Sequence, residues 1–110
     1  METYLGEFEH LVLLAVLRLG SEAYAVPIRA EIEDRGGRSV ARGALYTTLD
    51  RLEQKGLVRS RLGEALAERG GRARRYYAVS ARGLASLRAA RSSIDRLSEG
   101  LGLAPERATH

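Results

Sequence analysis

At 110 residues the chain has room for one domain with a single modest core, and a partner chain would help it bury apolar surface. Lys and Arg number 18 against 14 Asp and Glu, and the formal net charge of +4 favours an anionic partner. The absence of cysteine excludes disulfide staples, thiolate metal sites and a cysteine nucleophile.

The first periodic stretch predicts a helix from about Leu5 to Leu19, with Phe8, Leu11, Val12, Leu14, Ala15 and Val16 around most of its circumference. A helix so apolar belongs at the centre of a core or an interface. Gly20 ends it, and Ser21, Glu22 and Ala23 lead to a second helix expected to start near Pro27, since proline suits the first turn. Gly36 and Gly37 break the chain again. A third helix follows from about Arg42 to Lys55, closed by Gly56, with Leu45, Leu49 and Leu52 on one line and Gly43, Thr47, Asp50, Arg51 and Gln54 opposite.

After Gly56 the period becomes two-fold. Leu57 to Leu62 and Arg74 to Val79 read as antiparallel strands joined by a loop containing Gly70 and Gly71. Ser80 is placed to cap a last helix whose stripe of Leu84, Leu87, Ile94, Leu97 and Leu101 is narrow, as in a two-helix seam. Residues 102–110 are expected to fray.

Helix, helix, helix, hairpin, helix is the layout of a winged helix-turn-helix, a mainly α chain with a small β-hairpin in the α+β class. Its third helix enters the major groove and its hairpin touches the flanking backbone. Gly43 and Ala44 let the start of the third helix approach a phosphate. Thr47 and Arg51, one turn apart on its outer face, are placed to reach base edges. The hairpin loop concentrates Arg69, Arg72, Arg74 and Arg75 around its two glycines, as a grip on phosphate or a minor groove requires.

The run from Gly43 through Tyr46, Thr47 and Arg51 to Val58, then Gly70 through Tyr77 to Ser80, then Gly83, resembles the PadR family of bacterial transcriptional regulators. The similarity extends back through Leu11 to Leu17 and Tyr24 to Ile28. It implies a homodimer in which the C-terminal helix of one subunit packs on the N-terminal region of the other. Phe8 and Leu11 would then face Leu84, Leu87, Ile94, Leu97 and Leu101. It also implies an inverted-repeat operator in double-stranded DNA, repression as the usual outcome, Arg42 and Tyr46 near DNA, and Arg72, Arg74 and Arg75 in the wing. Two positions depart from the family pattern: Ala41 stands where a hydroxyl cap is frequent, and Thr47 where proline is frequent. The chain has no tryptophan to build an aromatic ligand pocket like that of some relatives, so an effector stays open.

These readings divide the chain into a DNA-binding domain over residues 1–80, a dimerisation helix over 81–101 and a tail. The competing readings are plain. Tyr46 and Tyr77 could be core aromatics, the arginine cluster a solvated turn, and Arg51 a partner of Asp50 or Glu53. The same fold could also serve as an adaptor facing an acidic protein. His10 reads as a core or interface histidine, and with His110 at the chain end no metal or other cofactor is expected. The serines lack a histidine at catalytic spacing, and neither glycine pair carries the lysine and hydroxyl of a phosphate loop, so no enzymatic chemistry is expected. The longest apolar run, Leu11 to Leu17, falls short of the ~20 residues of a membrane span, and the acidic start is unlike a signal peptide. A cytoplasmic protein is therefore expected.

Overall fold

The structure is a computed structural model and describes residues 4–103; for Arg69 it describes the main chain only. The segment expected to fray falls, from Ala104 onward, outside the described residues.

Helix α1 spans Glu7–Leu19. It begins later than Leu5 because Gly6 is still extended and its amide donates to Glu9 Oε1 at 2.9 Å, which fixes the first turn. A 3₁₀ turn over Gly20–Glu22 leads to α2, Ala25–Gly36. This helix starts before Pro27, with Tyr24 as the extended residue ahead of it, and its first intrahelical bond runs from the Ile28 amide to the Tyr24 carbonyl at 3.1 Å. Pro27 still lies in the first turn, where its missing N–H costs nothing. Gly37, at φ +68°, ends α2 in the left-handed conformation that favours glycine.

Helix α3, Arg42–Gln54, buries Leu45, Thr48, Leu49 and Leu52 against α1 and α2. Strands β1, Val58–Leu62, and β2, Arg75–Val79, pair antiparallel with Val58 opposite Val79 and Leu62 opposite Arg75. A 3₁₀ turn over Ala67–Arg69 lies in the loop between them. The Tyr77 amide donates to the Ala23 carbonyl at 2.8 Å, so the edge of β2 is anchored to the α1–α2 connection. Helix α4, Ala81–Ser98, opens with the Gly83 amide donating to Ser80 Oγ at 2.9 Å, the cap that the sequence predicts.

The last helix is shorter than its apolar stripe. It stops at Ser98, Glu99 turns extended and Gly100 takes φ +79°, so Leu101 lies beyond the helix rather than on it. One core runs through these elements: Val12, Leu13 and Val16 of α1, Ile28 and Ile32 of α2, the three leucines of α3, then Leu57, Val58, Tyr77 and Leu87. With four helices and a two-stranded hairpin among the described residues, the fold is a winged helix-turn-helix of the α+β class. Among the described residues, no helix is long and apolar enough to cross a membrane.

Candidate nucleic-acid interface

The helical period decides what α3 presents outward. With Leu45, Leu49 and Leu52 at 1 % exposure or less, Arg42, Gly43, Ala44, Tyr46, Thr47, Asp50 and Arg51 are all left exposed. Thr48 is the exception to a purely apolar inner face, buried at 5 %. Ala41 offers no side-chain cap, which leaves the first-turn amides of α3 facing outward without a side-chain acceptor. Among the described residues, no ion pair joins Arg51 to Asp50 or Glu53.

Other basic groups are occupied within the chain. Arg38, in the turn before α3, grips both carboxylate oxygens of Glu7 at 3.0 and 2.8 Å. That contact holds the Glu7 carboxyl below the usual range, through the hydrogen bond first and the charge second. Lys55, the sole lysine, donates to Glu9 Oε2 at 2.8 Å and so ties the end of α3 to the start of α1. Burial pushes the Glu9 carboxyl up. The bonds from Lys55 and the Gly6 amide, with the charges of Lys55 and Arg51, outweigh that and leave it lowered.

The hairpin alternates as a two-residue period demands. Val58, Ser60, Tyr77 and Arg75 share one face; Arg59, Arg61, Tyr76 and Ala78 share the other. On the first face Arg75 Nη1 donates to Ser60 Oγ at 2.9 Å, and that hydroxyl donates to Glu53 Oε2 at 2.7 Å. This relay fastens the wing to the outer edge of α3. Burial raises the Tyr77 phenol above its ordinary value; nearby Arg75 opposes the shift, and Asp50 and Glu53 reinforce it. Tyr77 is thus a core aromatic, whereas Tyr46 stands 44 % exposed on α3.

On the second face the Arg74 guanidinium stacks over the Tyr24 ring, 4.3 Å from its centroid, and Arg61 over Tyr76 at 4.8 Å. The two rings meet edge to face at 5.5 Å. Such contacts contribute about 0.5–1 kcal/mol each at exposed sites. Of the expected wing arginines, Arg74 is therefore half-buried against a ring, Arg75 is hydrogen-bonded and Arg72 is exposed on the loop. The Arg69 side chain lies outside the described residues. Ser60 and Arg61 were not singled out from the sequence, and Glu53 only as a possible partner of Arg51, although strand alternation already separates Tyr76 from Tyr77 and places Ser60 opposite Tyr77 once the register is known.

Away from α3, a groove of about 940 Å³ runs between α1 and α4, lined by Leu11, Leu14, Ala89 and Ile94 among others. His10 also lines it. Its Nε2 is buried without a hydrogen-bond partner among the described residues, and burial, with the charge of Arg91, lowers its pKa. Of the residues expected at a subunit seam, Leu87 is 4 % exposed and Phe8 packs against the core of its own chain. Leu11 and Leu84 are half-buried, while Ile94, Leu97 and Leu101 are 56, 81 and 63 % exposed.

No curated protein sequence matches the chain. Solved structures do. A PadR-like transcription factor from Bacteroides fragilis is 27 % identical with a TM-score of 0.69, over 86 % of this chain and 85 % of that one. A PadR family transcriptional regulator from Eggerthella lenta is 29 % identical with a TM-score of 0.67, over 87 % and 83 %. Bacillus subtilis PadR, solved in complex with operator DNA, shares the fold at 18 % identity and a TM-score of 0.62, over 94 % of this chain and 55 % of that one. The family model described as the transcriptional regulator PadR-like family matches residues 13–89, from the core of α1 through the hairpin into α4. With the helix-turn-helix, the wing and the start of the last helix all inside that match, the chain belongs to the PadR-like family of transcriptional regulators.

Proposed function

We propose that the protein is a homodimeric repressor that binds an inverted-repeat operator, presenting two α3 helices to successive major grooves about one helical turn apart. The observation that carries this reading is the continuity of the exposed face of α3 with the wing through the Glu53–Ser60–Arg75 relay. In this reading Arg42 and the amides of Gly43 and Ala44 take a phosphate, and Tyr46, Thr47 and Arg51 face base edges. The wing arginines Arg69, Arg72, Arg74 and Arg75 grip the flanking backbone or minor groove. Residues 1–80 serve as the DNA-binding unit. The second copy seats its α4 along the α1–α4 groove, covering Ile94 and Leu97. Support for DNA as the ligand comes from Bacillus subtilis PadR, which has been solved with operator DNA.

Footprinting across the promoter region of the protein's own gene, with a gel shift titrated in salt and competitor, tests the reading. Protection of a symmetric site, with light scattering giving twice the chain mass, is expected. Binding to all duplexes alike, or capture by an acidic protein surface in place of DNA, would overturn it.

A further inference from the structure

The two faces of the wing are held by different chemistry. One is fastened to α3 by the hydrogen-bonded relay through Ser60. The other carries a column of four side chains, guanidinium on ring on ring on guanidinium, running Arg74, Tyr24, Tyr76, Arg61. Tyr24 is the residue immediately before α2, so this column joins the wing to the first residue of the helix-turn-helix. A guanidinium over a ring face gains a cation–π contact without giving up its N–H donors.

The backbone of the wing is shaped to fit this column. The Gly63 amide donates to the Arg74 carbonyl at 2.7 Å, closing the hairpin just beyond the paired strands. A Cβ at Gly63 would stand 2.6 Å from Tyr76 Cε1 and 3.4 Å from that same carbonyl oxygen. The absence of a side chain at 63 is what lets the Tyr76 ring lie over the bend and reach Tyr24.

We infer that Tyr24 is a positioning residue: through Arg74 and Tyr76 it sets the angle of the wing against the α2–α3 unit before DNA is met, without touching DNA itself. Its consequence for binding rests on the operator reading above; its consequence for the wing does not. Arg74, on this account, serves as a layer of the column in addition to its place in the wing.

The test uses the full chain with Tyr24→Ala, Tyr24→Phe, Gly63→Ala and Arg42→Ala, reading amide hydrogen exchange in the free protein and salt-titrated binding to duplex DNA. Tyr24→Ala and Gly63→Ala should speed exchange at the Tyr77 amide by about tenfold while the Val12, Leu13 and Leu49 amides exchange as in the parent. Both should weaken operator binding about tenfold with the slope of log affinity against log salt unchanged, whereas Arg42→Ala should lower that slope by about one and leave exchange alone. Tyr24→Phe, which keeps the ring, should behave as the parent. Parental exchange at Tyr77 in both column variants, a lowered salt slope in Tyr24→Ala, or failure of Tyr24→Phe to rescue would overturn the inference. A parent that binds no duplex at all overturns the operator reading, while the exchange measurement still decides whether the column holds the wing.

Discussion

Single side chains in this molecule do their work by removing groups from solvent or by forbidding atoms. Glu9, its side chain 7 % exposed, accepts from Lys55 and from the Gly6 amide, and replacing it leaves a partly buried ammonium without its partner. Glu9→Gln should cost about 2 kcal/mol in urea unfolding at neutral pH. Because the folded carboxyl titrates below the ordinary value of 4.5, its contribution is fully present above about pH 4.5 and is lost as the pH falls through the lowered folded value. The gap in stability between parent and Glu9→Gln should therefore shrink on acidification, and a constant gap down to pH 2 would contradict the pairing. Gly83 is constrained by space: a Cβ there would collide with the Leu57 carbonyl oxygen and stand 2.9 Å from Val79 Cγ1. That carbonyl already accepts from the Ser80 amide and cannot simply move away, so Gly83→Ala should cost about 1–3 kcal/mol of stability, read as a lowered urea midpoint.

Among the elements, α3 divides most cleanly, with Leu45, Leu49 and Leu52 buried on one face and Tyr46, Thr47 and Arg51 exposed on the other. Leu49→Ala should cost about 2–5 kcal/mol, since the side chain is wholly buried among α1 and α2. Thr47→Ala and Arg51→Ala should leave the melting transition within about 0.5 kcal/mol of the parent, both side chains being exposed. Under the proposed function those same two changes alter base preference at defined operator positions by about 1–3 kcal/mol, measured by competition between sequence variants. Equal effects on operator and random DNA would remove them from the base-reading set. The hairpin is the converse case. Both of its faces carry side chains attached to neighbouring elements, by the serine relay on one face and the arginine–tyrosine column on the other.

For the molecule as a whole, the outstanding feature is apolar surface that the described residues leave uncovered. Ile94, Leu97 and Leu101 are exposed toward the end of α4 and just past it, and Ile94 also lines the groove along α1. Leu97→Asp changes a side chain that is 81 % exposed, so circular dichroism and the monomer core should be unaffected. In the proposed dimer the same change places a carboxylate in an apolar seam. The mass by light scattering should fall toward that of one chain, and operator affinity should fall with it. A dimer of unaltered mass would place the seam elsewhere.

Periodicity made the elements and their order readable, because the 3.6-residue and two-residue repeats of burial are written directly in the positions of Leu45, Leu49 and Leu52 and in the alternation through Tyr76 and Tyr77. The family pattern was legible for the same reason, being a local arrangement of glycines, tyrosines and arginines. What linear spacing does not carry is which charges are already engaged. Arg38, Lys55, Arg74 and Arg75 read alike as basic residues, yet contacts with Glu7, Glu9, Tyr24 and Ser60 occupy them, and each of these partners comes from a distant turn of chain. The start of α2 and the end of α4 escaped for a related reason: backbone geometry at Tyr24 and Gly100 placed them, not the pattern of apolar side chains. Local order follows from neighbours in the chain, whereas the availability of a charge depends on what folding brings beside it.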